Sequence, residues 1–142
     1  MKLAIGCDHA GFDYKEALLI TLSKNHTIQD FGTHSNASCD YPDFVHPLAK
    51  SIAANKNDRG ILICGTANGV AITANKHKGI RAGIAWDTEL AVLTRQHNNA
   101  NIICIPARFV SLEKAAEIVQ AFLETGFEGG RHQNRIDKID LC

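Results

Sequence analysis

The sequence predicts an α/β fold in which a mostly parallel, five-stranded sheet carries helices on both faces. Two observations predict it: short runs rich in Ile, Val, Leu, Cys or Ala recur along the chain, and amphipathic stretches with helical periodicity separate them. A β-α-β-α order places the helices in layers on either side of the sheet through right-handed crossovers. At 142 residues, with no repeat, low-complexity tract or linker, the chain is expected to form one domain, residues 1–142.

The predicted strands are the apolar runs. The third run suits a buried strand and delivers Cys64 into a glycine-rich turn. In chain order the predicted strands are Lys2–Cys7, Thr27–Phe31, Gly60–Cys64, Arg81–Ala85 and Asn101–Ile105.

The helical patterns lie between and after these strands. Asp87 and Ser111 are expected as N-caps, because their side-chain oxygens can accept hydrogen bonds from the first turn of a helix. Gly79 is expected to end the third helix. The predicted helices are approximately Gly11–Lys24, Asp43–Asn55, Asn68–Lys76, Asp87–His97, Ser111–Leu123 and Arg131–Ile139.

Composition excludes several classes of partner and cofactor. Lys plus Arg and Asp plus Glu each number 15, so no net field draws the protein to nucleic acid or to an acidic membrane surface. The five cysteines, at positions 7, 39, 64, 104 and 142, include no C-x-x-C pair, which argues against disulfides and thiolate zinc and favours the reducing cytoplasm. The seven histidines lack metal-ligand spacing, and no apolar run suits a signal peptide or a membrane span. No metal or other cofactor is expected.

Three polar clusters follow predicted strands and should share one edge of the sheet. They are Cys7-Asp8-His9 after the first strand, Cys64-Gly65-Thr66 after the third and Pro106-Ala107-Arg108 after the fifth. Ligands of parallel sheets bind beyond the carboxyl ends of the strands. This edge is therefore the predicted binding site.

The turn after Cys64 is the strongest candidate for chemistry. A junction between a strand and a helix points free backbone N–H groups at one spot, where they stabilise an anion and activate a nearby thiol. The alternative is a buried strand that ends in a small hydrophobic residue. Gly65-x-x-x-Gly69 lacks the Lys-Ser/Thr of a P-loop, so nucleotide binding is weakly supported.

Asp8 and His9 could form an acid/base and anion-binding pair, or they could be a helix N-cap beside a surface histidine. His97 and Asn98 precede the fifth strand and should lie at the opposite edge of the sheet. Joining the site would require them to come from a neighbouring chain, so an oligomer is expected unless this is a solvated helix end.

Arg131 and Arg135 are four residues apart, on one helical face and near a helix N-terminus. Two guanidinium groups in this arrangement suit a phosphate, although a solvated basic face is the commoner role of such a pair.

Taken together, these segments resemble the ribose-5-phosphate isomerase B / galactose-6-phosphate isomerase family in order and spacing over almost the whole chain. The resemblance implies a Rossmann-like three-layer sandwich, a single sugar-phosphate isomerase domain, and a homodimer or homotetramer with shared active sites and no metal. It also implies aldose–ketose isomerisation through a cis-enediolate. The matching segments are Gly6–Phe12, Asp40–Pro42, Gly60–Thr66, Ala74–Lys76, Gly79–Ala82, Arg95–Asn98 and Gly129–Arg135.

The resemblance also implies roles for individual residues. Cys64 resembles the catalytic base, and Thr66 resembles the threonine that hydrogen-bonds the reacting oxygens. His97 and Asp8 match the groups that open the sugar ring. The residues that match substrate-binding positions are Gly65, Ala67, Asn68 and Gly69 through their backbone, Tyr41 and Asn98 at the hydroxyls, and His9, Arg108, Arg131 and Arg135 at the phosphate.

Two positions distinguish this chain within the family pattern. A related subgroup uses as its base a glutamate at the position of Val70. Because this chain has valine there, it fits the subgroup in which the cysteine is the base. Ala67 replaces a usual loop glycine and would be strained by about 1 kcal/mol if the position needs a positive φ. The expected reaction joins ribose 5-phosphate and ribulose 5-phosphate; isomerisation of galactose 6-phosphate or allose 6-phosphate and non-catalytic sugar-phosphate binding are the alternatives.

Overall fold

The structure is a computed structural model that describes residues 1–140; Cys142, the last of the five cysteines, lies outside the described residues. Its strands are β1 (Lys2–Cys7), β2 (Thr27–Asp30), β3 (Arg59–Cys64), β4 (Ala82–Ile84) and β5 (Ile102–Pro106). Its α-helices are α1 (Phe12–Leu22), α2 (Pro42–Ala53), α3 (Asn68–Ala74), α4 (Thr88–Asn98), α5 (Leu112–Glu124) and α6 (Arg131–Ile136), with a short 3₁₀ helix at His9–Gly11.

The five strands form one sheet in the order β2-β1-β3-β5-β4, and every neighbouring pair is parallel. The predicted α/β fold with a parallel sheet is therefore confirmed. Strand β4 begins one residue later and ends one residue earlier than predicted, and side-chain amides bind the backbone where it begins. The N–H of Arg81 donates to Asn101 Oδ1 at 2.9 Å, and the N–H of Ala82 donates to Asn75 Oδ1 at 2.8 Å.

The two expected N-caps are confirmed, whereas the expected end of the third helix is wrong. Asp87 Oδ1 accepts from the N–H of Leu90 at 2.8 Å, and Ser111 Oγ accepts from the N–H of Lys114 at 3.1 Å. Helix α3 ends at Ala74 instead of near Gly79. Both amide atoms of Asn75 are bound to Ala82, which turns the chain toward β4 before another helical turn can form.

Side chains of the central strands alternate between two cores, one on each face of the sheet. Ile61 and Ile63 pack with α1, α4 and α5, in a cluster that includes Ile118 and Phe122. The residue that follows each of them, Leu62 and Cys64, belongs to the cluster on the other face, which includes side chains of α2 and α3. The period of two along β3 therefore aims Cys64 at the α2–α3 face.

One fully buried lysine is not expected from the sequence. The Nζ of Lys15 donates to Asp30 Oδ2 at 2.6 Å and to Glu16 Oε1 at 2.7 Å, and its side chain is 0% exposed. Burial opposes the charge of Lys15, but the hydrogen bonds to Asp30 and Glu16 outweigh it and raise the pKa of the ammonium group. The charged pair ties α1 to the end of β2, where Asp30 Oδ1 also accepts from the N–H of Gly32 at 2.9 Å. None of the helices within residues 1–140 combines the length and apolar character needed to cross a bilayer.

Candidate active site

The predicted edge of the sheet carries an open cavity of about 640 Å³. Backbone bonds draw the ends of β3 and β5 together here, since the N–H groups of Ala107 and Arg108 donate to the carbonyls of Cys64 and Gly65 at 2.9 and 3.1 Å. The cavity is lined by residues that follow β1, β3 and β5 and by the segment that enters α2: Asp8, His9, Ala10, Ser38, Cys39, Asp40, Tyr41, Pro42, Asp43, Gly65 and Arg108.

Cys64 is the last residue of β3 and lies directly beneath this edge, with 4% of its surface exposed. The N–H of Ala67 donates to its Sγ at 3.1 Å, an interaction that stabilises a thiolate. Two other thiols are in environments that keep them protonated. Burial raises the pKa of Cys7 to about 12, and burial followed by the proximity of Cys64 raises the pKa of Cys104. Of the three buried thiols, Cys64 is the one that ends β3 at the turn before α3.

In the loop after Cys64, the position of Ala67 requires a positive φ. Ala67 adopts φ 64°, in the left-handed region, although it is not a glycine. This conformation turns its N–H back onto Cys64 at a cost of about 1 kcal/mol. Asn68 begins α3, and the N–H of Ala71 is the donor to the carbonyl of Ala67, so the N–H groups of Gly69 and Val70 belong to the unpaired first turn. These N–H groups can stabilise a developing oxyanion.

Tyr41 lies against the start of α3 at Gly69. A Cβ at Gly69 would come within 2.4 Å of Tyr41 Cζ and 2.8 Å of its hydroxyl oxygen. Only glycine therefore lets the phenol ring rest on the first turn of this helix. Arg108 makes a similar approach to Gly65, where a Cβ would be 3.2 Å from its guanidinium carbon. The two glycines bring a hydroxyl and a guanidinium to the thiol loop.

Asp8 and His9 occupy the loop after β1, and Asp8 is the N-cap of the short 3₁₀ helix, one of the two roles that the sequence predicts. Its Oδ1 accepts from the N–H groups of Ala10 and Gly11 at 2.9 and 3.1 Å. His9 Nδ1 accepts from the N–H of Cys39 at 3.4 Å, so the neutral ring carries its proton on Nε2 and can donate to a ligand. Cys39, whose Sγ is 4.0 Å from His9 Nδ1, was not a candidate from the sequence because it lies in a polar loop.

Four of the candidate residues do not reach this edge within one chain. His97 and Asn98 form the last turn of α4, next to the start of β5 at the opposite edge of the sheet. Arg131 and Arg135 lie on α6, and the N–H of Glu128 before this helix donates to the carbonyl of Gln96 at 3.1 Å. The candidates therefore form two groups at opposite edges, in line with the predicted position of His97.

An apolar surface adjoins the thiol loop. Trp86 and Phe109 follow β4 and β5, and they are 57% and 73% exposed. Together with Ile84 and Pro106, they line a depression that also contains Thr66 and Asn68 of the loop. Adjacent exposed apolar side chains of this size are typical of surfaces that make intermolecular contacts.

Comparison with known proteins shows the family of this chain. The model of the ribose/galactose isomerase family matches residues 3–139. The chain belongs to this family. Ribose-5-phosphate isomerase B of Escherichia coli (strain K12) is 43% identical over 139 residues, which cover 97% of this chain and 93% of that protein.

Solved structures from the ribose/galactose isomerase family share the fold over nearly the full chain. A ribose 5-phosphate isomerase from Thermotoga maritima superposes with a TM-score of 0.96 and 46% identity, covering 99% of this chain and 98% of that one. Ribose-5-phosphate isomerase B from Mycoplasma genitalium, crystallised with ribulose-5-phosphate, gives a TM-score of 0.93 and 43% identity, covering 97% and 93%. The Rossmann-like fold expected from the family resemblance is thus confirmed.

Proposed function

We propose that this chain is an aldose–ketose isomerase that interconverts ribose 5-phosphate and ribulose 5-phosphate. The observation that carries the proposal is the thiol of Cys64, held 3.1 Å from the N–H of Ala67 and next to Gly65, which lines a cavity with hydroxyl, imidazole and guanidinium groups. The names of the family relatives support the same substrate pair. We further propose that residues 1–142 form one sugar-phosphate isomerase domain that acts in the reducing cytoplasm, where its cysteines stay free.

Cys64 acts as the base in the proposed mechanism. Its thiolate takes the proton from C2 of the open-chain aldose, and the electron pair of that bond forms the C1–C2 double bond of a cis-enediolate with its charge on O1. Backbone N–H groups of the turn stabilise this charge as an oxyanion hole does, and Thr66 hydrogen-bonds the reacting oxygens. After the hydroxyl proton moves from O2 to O1, the thiol returns its proton to C1 and the ketose forms.

The remaining candidates bind the substrate or open its ring. His9 and Arg108 bind the phosphate with Arg131 and Arg135 of the partner subunit, because guanidinium and imidazole N–H groups form charge-assisted bonds with phosphate oxygens. Tyr41 of the chain that carries Cys64 binds substrate hydroxyls, and so does Asn98 of the partner subunit. His97 of the partner subunit transfers the ring-opening proton together with Asp8, whose Oδ1 is held by its capping bonds.

This arrangement requires an oligomer with shared sites. Each chain has the thiol loop at one edge of its sheet and His97 with the α6 arginines at the other, so a two-fold pair completes two sites at once. The surface of Trp86 and Phe109 beside Thr66 supplies apolar area for such a contact. We propose a homodimer or a homotetramer built from such dimers.

A coupled assay on the purified chain tests the proposed function. Five- and six-carbon aldose phosphates are offered separately, and isomerisation is followed by formation of the ketose. We expect the highest kcat/KM with ribose 5-phosphate. A higher value with galactose 6-phosphate or allose 6-phosphate would make the chain a hexose-phosphate isomerase, and calorimetric binding without turnover would make it a sugar-phosphate-binding protein.

A further inference from the structure

The last turn of α4 and the start of α6 bring together three metal-binding side chains that lie far apart in the sequence. The rings of His97 and His132 stack with centroids 4.3 Å apart and an interplanar angle of 12°. Glu128 Oε2 is 3.3 Å from His132 Nε2. One ligand atom from each of these three residues lies within 4.8 Å of the other two.

The backbone holds this cluster in place. Gly129 and Gly130 have φ values of 71° and 58°, and this tight turn brings Glu128 onto the side of His132. The bond from the N–H of Glu128 to the carbonyl of Gln96 fixes the turn to α4. On α4, the buried side chain of Arg95 donates to the carbonyls of Ala100 and Thr125 at 2.6 and 3.2 Å.

We propose that His97, Glu128 and His132 form a binding site for Zn²⁺ whose occupancy inhibits the enzyme. Two imidazoles and one carboxylate make a donor set that zinc accepts, with water in the fourth position. Zinc bonds of about 2.0–2.1 Å hold their ligand atoms roughly 3.4 Å apart, so these atoms need to close by at most about 1.4 Å. Glu128 is exposed and His97 is half-buried, so both can rotate.

The surroundings select the kind of cation. Arg131 and Arg135 lie on the same short helix as His132, and Arg95 lies on the last turn of α4 with His97, so the local charge opposes weakly held ions such as Mg²⁺. Affinity has to come from imidazole coordination, which zinc favours and magnesium does not. No metal-binding motif is visible in the sequence, because the ligands come from two separate segments.

Inhibition follows because the metal would occupy a nitrogen of His97, the group proposed to move the ring-opening proton. This half of the inference rests on the proposed function, whereas binding does not. Direct titration therefore comes first. Zn²⁺ binding is measured by calorimetry on the Cys64→Ser variant, which removes the thiol as a competing ligand, and Co²⁺ absorption reports the ligands.

We expect one Zn²⁺ per chain, with affinity weakened about tenfold or more by Glu128→Gln and by His132→Ala. His46→Ala is the matched control, since His46 and His77 form a second close histidine pair, Nδ1 to Nε2 2.8 Å, that is not part of this cluster. The proposed site is refuted by an absence of binding, by an affinity lost in His46→Ala but kept in Glu128→Gln, or by a thiolate charge-transfer band in the Co²⁺ spectrum.

Activity then tests the inhibitory half. Zn²⁺ should inhibit the wild-type enzyme in the concentration range in which it binds, and Glu128→Gln should raise the inhibition constant about tenfold or more with unchanged kcat in EDTA. Inhibition of equal strength in Glu128→Gln would place the inhibitory ion on Cys64 instead and overturn this half. A chain without isomerase activity would refute the proposed function and leave the binding result standing.

Discussion

Replacing Gly69 with alanine should impair the enzyme through Tyr41. The new Cβ would lie 2.4 Å from Tyr41 Cζ, whereas carbon atoms in contact are about 3.5 Å apart, so the ring must move by about 1 Å or more. Tyr41 is 36% exposed, which lets the ring swing toward solvent. Its hydroxyl would then lose the hydrogen bond that we propose it makes to the substrate.

The magnitude follows from that one interaction. A neutral hydrogen bond contributes about 0.5–1.5 kcal/mol, so kcat/KM should fall roughly 2- to 12-fold in Gly69→Ala. Stability should change by less than about 1 kcal/mol, because the lost ring packing is offset by the better helix propensity of alanine. Urea unfolding and steady-state kinetics measure the two effects separately.

A double-mutant cycle decides whether Tyr41 carries the effect. In a Tyr41→Ala background the space beside Gly69 is empty, so adding Gly69→Ala should cause no further loss of kcat/KM and should raise stability by about 0.5–1 kcal/mol. Equal losses in both backgrounds would show that the added methyl acts on the thiol loop itself. That result would refute the reasoning.

Cys64→Ser should abolish turnover and leave sugar-phosphate binding intact by calorimetry, because a hydroxyl is a far weaker base; retention of more than about a tenth of the wild-type kcat, about 1.4 kcal/mol in barrier, would assign the base elsewhere. Arg131→Ala and Arg135→Ala should each raise KM about tenfold or more with a smaller change in kcat, and unchanged substrate affinity would make that arginine an ordinary surface charge. Co-refolding inactive Cys64→Ser and His97→Ala chains in equal amounts should restore about a quarter of the active sites. About half of the randomly formed dimers contain one chain of each kind, and each of these mixed dimers has one intact site. If tagged chains exchange and no activity returns, the sites are not shared between subunits. Folding raises the pKa of Cys7 from 9.0 to about 12, so the stability gained from its neutral thiol is complete below pH 9 and is lost as the pH rises toward 12. The urea midpoint should therefore fall above pH 9, and it should fall less steeply in Cys7→Ala. Equal slopes in the two proteins would exclude this thiol as the cause.

The sequence was sufficient to predict the order of elements and the edge at which Cys64 lies. Each strand is a short apolar run, and parallel topology brings the carboxyl ends of the strands together, so the loops after β1, β3 and β5 could be assigned to one edge. The caps at Asp87 and Ser111 were predictable for the same local reason, since a cap depends on residues within one turn.

Contacts between distant segments could not be predicted from the residues alone. A lysine in a helix is expected at the surface. Lys15 is buried because Asp30, at the end of β2, binds its ammonium group. The approach of Tyr41 to Gly69 depends on how α2 packs beside α3. Gly79 was expected to end the third helix because glycine is common after the last helical residue. Asn75 ends the helix instead, because its amide reaches Ala82 across the turn.

The alternation of side chains along β3 limits how this protein can change length in evolution. Inserting or deleting one residue within β3 would move the thiol from the α2–α3 face to the face covered by α1 and α5, with every apolar side chain of the strand displaced at once. Changes in length are tolerable only outside the strand, as in the exposed segment 34–37. Homologous chains should therefore differ in length at such loops and keep a constant spacing from Gly60 to Cys64.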